Sequence, residues 1–228
     1  TACRVSLVDL PGRVAQLQAD DGMLRVEGSD GSHSSARPRQ ITASCEDLEP
    51  QDFVILACKA HELPGAAADL AVLARRGAVF VTIQNGIPWW YLQGTDEGDK
   101  GWRIDCLDPQ GDLGRTISPD QIIGCVAYPA ATLQADGRAR HVEGNRLPIG
   151  ELDGSVKSRT RELSVLLEDS GFKSRIIGDI RSELWLKAWG ALSINPVSAL
   201  TRATMEDICS FPATRDLVAS MMEEAQQV

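Results

Sequence analysis

The run DFVILACKA (Asp52 to Ala60) stays apolar from Phe53 through Cys58 before it meets Lys59. An unbroken apolar run of this length, with no alternation, is the pattern of a strand covered on both faces. A helix is expected next, from about His61 to Leu73, because Leu63, Ala66, Ala67, Leu70 and Leu73 fall on one side of a 3.6-residue period. A second buried strand follows in GAVFVTIQNG, Gly77 to Gly86. Strand, helix and strand in that order make a parallel sheet with a right-handed crossover, so the fold class is α/β.

Upstream, Arg4 to Asp9 reads as a short strand ending in an acid, and GRVAQLQAD (Gly12 to Asp20) as a short helix. Met23 to Val26 and Gln40 to Ser44 are expected strands, with the Gly/Ser-rich GSDGSHSSARP between them as a loop. From Ile122 the grammar changes to short strands separated by Ala135-Asp136-Gly137 and Glu143-Gly144-Asn145, which suggests a meander. Val156 to Gly171 is an amphipathic helix, and FKSRIIGD (Phe172 to Asp179) a last strand. Everything beyond reads helical: Ile180 to about Ile194, a proline-started helix from Pro196, and Thr214 onward. The domain boundary is placed near Gly178, giving residues 1–178 and 179–228. The chain opens on TACRVSLVDL and stops among helix formers, so it reads as a segment of a longer protein.

Composition narrows the function. A net charge of −9, with no Lys/Arg cluster larger than Arg75-Arg76, argues against a nucleic-acid partner. Six scattered cysteines without a CxxC pair point to reduced thiols and a cytoplasmic setting rather than a disulfide framework. The three histidines show no metal-ligand spacing. No apolar run reaches the roughly 20 residues that span a bilayer, and no signal peptide is visible.

Four places carry residues suited to chemistry. Lys59 stands at the C-terminal end of a buried strand, where open α/β sheets bind ligands. It can reach a phosphate, a ribose or a carboxamide there, or simply point to solvent. Asn85 follows the next buried strand and can both donate and accept hydrogen bonds, although Asn-Gly is also a common turn. Asp9 closes its strand as an acid does when it holds a ribose 2′-hydroxyl, yet no G-x-G-x-x-G fingerprint occurs in the chain. In SELWLKAWGALSINP (Ser182 to Pro196), Leu184, Lys187, Ala191 and Asn195 recur at intervals of three and four and so share a helix face. A lysine on such a face can snorkel to water, or can line a cleft where desolvation makes it a usable acid.

The strings ACKAHE, TIQNGIPWWYL, IIGCVAYPAATL, HVEGNRLPIGELDG and SELWLKAWGALSINPVSALT together resemble the ketopantoate reductase (2-dehydropantoate 2-reductase) family. The resemblance implies a Rossmann-type dinucleotide-binding domain, with its first strand–helix unit missing here, followed by a truncated all-helical domain. It implies NADPH-dependent reduction of a small 2-keto acid, 2-dehydropantoate, to pantoate on the route to coenzyme A, by a protein that forms a homodimer at full length. Lys187 would be the general acid, Asn195 a substrate contact, Asn85 a contact to nicotinamide ribose and substrate, and Lys59 a contact along the cofactor. The pattern departs from the family at Ala191, where asparagine is usual, and at Leu10, where a basic residue that reads the 2′-phosphate often stands. Arg13 is a candidate substitute for that residue, whereas Asp9 favours NAD. The family's glycine-rich turn and its substrate-binding serine and glutamate lie outside these residues, so the segment alone is expected to be inactive. The alternatives are a degenerate, non-catalytic homologue and a reductase of another 2-keto acid.

Overall fold

A computed structural model describes residues 3–227. The described chain divides into two compact units, Thr1–Ile180 and Arg181–Val228.

The first unit is built on three sheets. Strands β1 (Ser6–Val8) and β4 (Gln40–Thr42) pair in parallel, with helix α1 (Pro11–Ala19) between them in sequence. Pro11 opens α1, where its missing N–H costs nothing, and Val14 and Leu17 are its buried residues. The main sheet has the order β10-β7-β6-β5, from β5 (Phe53–Leu56), β6 (Val79–Thr82), β7 (Ile122–Cys125) and β10 (Ile149–Glu151). The first three run parallel, and β10 pairs antiparallel with β7. Helix α2 (Leu63–Arg75) makes the β5–β6 crossover and buries Leu63, Ala67, Leu70, Leu73 and Ala74. The short helices α3 (Asp96–Asp99) and α4 (Asp112–Thr116) lie in the β6–β7 connection.

A third sheet joins β2 (Leu24–Glu27), β3 (His33–Ala36), β8 (Ala130–Leu133) and β9 (Ala139–Glu143) in the order β3-β2-β9-β8. Helix α5 (Ser158–Asp169) covers one face of the main sheet. There Leu163 and Leu167 pack with Val81, Ile123, Cys125, Leu147 and Ile149. The α/β class and the Rossmann-like plan are therefore present.

Several local expectations are corrected. The loop at Gly28–Pro38 contains β3, a hairpin partner of β2. All four residues of β3 are exposed, so no hydrophobic alternation marks it, and register with β2 alone makes the strand. The meander after Ile122 is instead split: β8 and β9 form a hairpin that pairs in parallel with β2, while β7 and β10 stay in the main sheet. Phe172 to Asp179 makes only isolated bridges, Arg146 with Lys173 and Ile149 with Ile176. Strand β5 is covered less than its composition suggests. Among the described residues it pairs only with β6, and Ile55 is 51% exposed.

Two features fix the first unit internally. A Cβ on Gly124 of β7 would lie 2.8 Å from Ile180 and 2.9 Å from the Trp90 ring, so only glycine admits that indole. Glu151 is 1% exposed and accepts hydrogen bonds from Arg159 and Thr160, with Lys157 Nζ 3.4 Å away. These contacts pin β10 to the first turn of α5. Burial works against the ionised Glu151 carboxylate, but the Arg159 and Thr160 hydrogen bonds outweigh it, and the net shift is downward.

The second unit is helical: α6 (Ile180–Thr201), α7 (Met205–Ser210) and α8 (Pro212–Gln226). Val197, Ile208 and Val218 form its core, and Trp189 Nε1 donates to the Met222 carbonyl at 2.7 Å, tying α6 to α8. Helix α6 runs 22 residues with Pro196 inside it, where a break was expected. Proline frees the carbonyl four residues back, on Leu192. Leu192 and Pro196 are both on the exposed side, so water can satisfy that carbonyl and the helix continues.

Because the Glu151 carboxylate is held below its ordinary range, its contribution to stability is present above about pH 4.5 and is lost as pH falls through the lower folded value. Asp153, lowered to about 2 by its Ser155 hydrogen bonds, acts in the same direction. Glu151→Gln should lower unfolding free energy at pH 7 by about 1–3 kcal/mol, through loss of charge-assisted bonds in a buried site. It should also flatten the decline between pH 6 and pH 3, as read from urea melts across that range.

Candidate functional site

The C-terminal ends of β5 and β6 meet at Cys58, and Asp9, after the end of β1, is near enough for its carboxylate to act on that thiol. After β6 the chain is pinned by Gln84, whose side-chain amide donates to the Leu56 carbonyl at 2.6 Å and to the Cys58 carbonyl at 3.1 Å. Asn85 and Gly86 then leave the sheet, Gly86 with φ +87°, a conformation that favours glycine. The loop beyond is anchored by Trp90, fully buried, whose Nε1 donates to Thr82 Oγ1 at 2.9 Å. Asn85 is thus exposed at a point fixed from both sides.

On the neighbouring strand, the Lys59 N–H donates to Glu62 Oε2 at 2.7 Å, which opens the turn into α2 and leaves the Lys59 side chain exposed. On β1, the Asp9 N–H donates to the Thr42 carbonyl at 3.2 Å, and Asp9 Oδ1 accepts from the Leu10 N–H at 2.7 Å. Although Cys58 is exposed as a residue, burial of its sulfur pushes the thiol up, and the nearby Glu62 and Asp9 carboxylates add to that shift. The thiol is therefore protonated and weakly nucleophilic at neutral pH. The same influence shows that Asp9 lies close to the end of β5.

Asp9, Lys59 and Asn85 are therefore brought to one edge of the parallel strands, the edge at which α/β sheets bind ligands. They offer an acceptor, an ammonium and an amide along it, a donor set that suits a dinucleotide's ribose hydroxyls, phosphates and carboxamide. Arg13 is placed differently. Its Nη1 donates to Gln16 Oε1 at 3.3 Å, and it lines a cavity of about 470 Å³ between α1 and the β8–β9 turn, with Asp20, Met23, Leu133 and Asp136. No residue of β5 or β6 borders that cavity.

In the second unit, Lys187 and Asn195 share α6, about 12 Å apart along the axis at 1.5 Å per residue. Lys187 is half-buried, one turn from buried Leu184, while Ala191 and Asn195 are exposed. Asn195 sits inside a continuous helix, not at a junction. Ser193, the neighbour closest to Ala191 with a hydroxyl, is fully buried, and its Oγ donates to the Trp189 carbonyl at 2.8 Å. Two residues along a helix turn a side chain through about 200°, so Ser193 faces away from Ala191 and offers no hydroxyl on the Lys187 face.

The clamp made by Gln84 and the Trp90–Thr82 bond were not foreseen. The signal for Gln84 was a polar residue directly after a buried strand, too common to read without the carbonyls it meets. Among the described residues no cluster of His, Cys, Asp and Glu could hold a metal ion, and no helix is long and apolar enough to cross a membrane.

Comparison with known proteins places this geometry. The family profile described as ketopantoate reductase PanE/ApbA matches residues 1–96, and its C-terminal counterpart matches residues 179–228. A protein of Mesorhizobium japonicum named 2-dehydropantoate 2-reductase is 40% identical over 98% of the chain. The chain belongs to the ketopantoate reductase family. It spans 68% of the length of that Mesorhizobium relative. A solved structure from Ralstonia solanacearum MolK2, assigned as a ketopantoate reductase, superposes with a TM-score of 0.86 at 30% identity. That match covers 97% of this chain and 68% of the other. A D-mandelate dehydrogenase solved with NADH and anilino(oxo)acetate shares the fold at 16% identity and a TM-score of 0.73, covering 97% of this chain and 64% of its own.

Removing the Gln84 amide leaves two strand-end carbonyls without that donor. Gln84→Ala should cost about 1–3 kcal/mol of stability. It should also speed hydrogen exchange at the Ile83 amide, which reaches the Leu56 carbonyl at 3.5 Å, relative to β7 amides.

Proposed function

We propose that the protein to which this chain belongs reduces 2-dehydropantoate to pantoate with a nicotinamide dinucleotide, a step toward coenzyme A. The observation that carries this reading is the 40% identity, over nearly the whole chain, to a protein named for that reaction. In this reading residues 1–178 form the dinucleotide-binding domain, and residues 179–228 begin the helical domain that holds substrate and pairs two copies of the protein.

The reaction turns a keto carbonyl into an alcohol, so its oxygen gains negative charge and then a proton. The bound dinucleotide supplies the hydride. Lys187 supplies the rest: its ammonium points charge at the developing alkoxide and gives up a proton to it. A positioned donor of this kind is worth several kcal/mol in the transition state. Its half-buried place on α6 supports the role, because a donor partly withdrawn from water acts more strongly on charge that develops beside it. Asn195, two turns along the same helix, offers an amide to the substrate's polar end. On the first unit, Asn85 orients the nicotinamide ribose and substrate, and Lys59 runs along the cofactor.

Ala191 supports a second reading, in which the substrate is another small 2-keto acid. It is exposed on the face that carries Lys187 and Asn195, and its methyl group can make no hydrogen bond. A substrate with fewer polar groups would lose nothing there, whereas the unmatched hydroxyl of a polar one would weaken binding by a factor of ten or so.

The full-length protein assayed on a panel of 2-keto acids should favour 2-dehydropantoate, and activity confined to other 2-keto acids would replace the substrate. Lys187→Ala should lower kcat by about 10²–10⁴-fold, the usual worth of a general acid. Its dinucleotide Kd, measured by fluorescence titration, should stay within about twofold of wild type. Retention of wild-type kcat in that variant would remove Lys187 from the chemistry.

A further inference from the structure

We propose that the β1 strand end selects NADH over NADPH, with Asp9 holding the adenosine 2′-hydroxyl and Leu10 offering an apolar surface where a phosphate would need a cation. The inference rests on the dinucleotide reading above and deepens it by naming which cofactor the site takes.

Asp9 is fixed rather than loose. Its N–H is bound to the Thr42 carbonyl at 3.2 Å, and its Oδ1 accepts the Leu10 N–H at 2.7 Å. With one oxygen held by the backbone, Oδ2 is left in a set direction to accept from a ribose hydroxyl. An acid at this strand end has that geometry in dinucleotide folds generally, and a 2′-phosphate there requires a nearby arginine instead. The phosphate would bring about −1.5 to −2 charge against the Asp9 carboxylate.

The surroundings do not offset that repulsion. Glu62 stands with Asp9 around the end of β5, where both carboxylates raise the Cys58 thiol. Glu46 and Asp47 follow the end of β4, which leaves the sheet beside Asp9, and Asp47 accepts from Thr42 Oγ1. Among the cations, Arg13 is engaged by Gln16 and lines the cavity under α1. Arg76 donates to the carbonyls of Leu48 and Glu46. Lys59 lies at the end of β5, the strand end where the cofactor's inner half runs in the reading above. Leu10, 75% exposed, is the side chain directly after Asp9, and it has no charge to offer a phosphate. An exposed leucine at that position can lie against a purine face.

The test is binding, independent of turnover. Full-length protein titrated with NADH and with NADPH, followed by calorimetry and by energy transfer from tryptophan, should bind NADH at least about tenfold more tightly, the size expected for one charge-assisted hydrogen bond. Asp9→Asn should shrink that ratio by weakening NADH and relieving NADPH. Leu10→Arg, at an exposed position that leaves the fold intact, should strengthen NADPH binding. Equal or tighter binding of NADPH by the wild-type protein overturns the selection while leaving the dinucleotide site standing. So does an unchanged ratio in Asp9→Asn. If neither dinucleotide binds, the site itself is overturned, and the selection with it.

Discussion

The parallel pairing of β5 with β6, locked at its C-terminal edge by the Gln84 amide, is the constraint on which the functional edge depends. Parallel ladders carry no information about where their ends stop, because each strand can extend or fray independently. Here one side chain reaches across and takes two carbonyls of the neighbouring strand end, so the chains after β5 and β6 must leave the sheet together. Lys59 and Asn85 are thereby set side by side. The Trp90–Thr82 bond secures the loop on the other side, and Gly124 gives the indole the space it needs. A polar edge thus rests on a buried aromatic and a missing Cβ.

Much of this architecture was legible in the chain itself, for identifiable reasons. The β5, α2 and β6 segments carry unbroken or 3.6-periodic apolar patterns, and burial against α2 and the sheet core enforces them. Helix α5 was similarly marked by its buried Leu163 and Leu167. What escaped were elements that burial does not dictate. β3 is exposed throughout, and the β2–β9 pairing joins residues more than a hundred positions apart with little apolar signature. Pro196 misled for the opposite reason: a strong local breaker was overruled because the carbonyl it frees is on the solvent side.

The candidate site was legible in part, and unevenly. Asp9, Lys59 and Asn85 could be named because strand ends in parallel sheets are where such folds place ligands. Arg13 could not be located from spacing. A residue three positions into a helix can turn either toward the strand end or along the helix, and here Gln16 and the cavity wall take it. Glu151 illustrates the converse error. A buried, strongly paired carboxylate with a depressed pKa resembles a functional acid, yet every partner it has belongs to β10, α5 or the turn between them, and its effect is to join those elements.

The α6 face shows how a family pattern and a helix constrain each other. Side chains at intervals of three and four must share a side, so a change at Ala191 cannot be absorbed by the adjacent positions, which point elsewhere. Ser193 shows this directly. It is polar and only two residues away, yet it is buried with its hydroxyl turned onto the helix's own backbone. Within α6, a hydrogen-bonding group on the face of Ala191 is therefore supplied only by positions one turn away, such as Lys187 and Asn195. In the proposed reading, Lys187 and Asn195 meet the keto acid from two points of one helix face, about 12 Å apart along the axis. In that reading the small side chain of Ala191 leaves the stretch of the face between them without a hydrogen-bonding group.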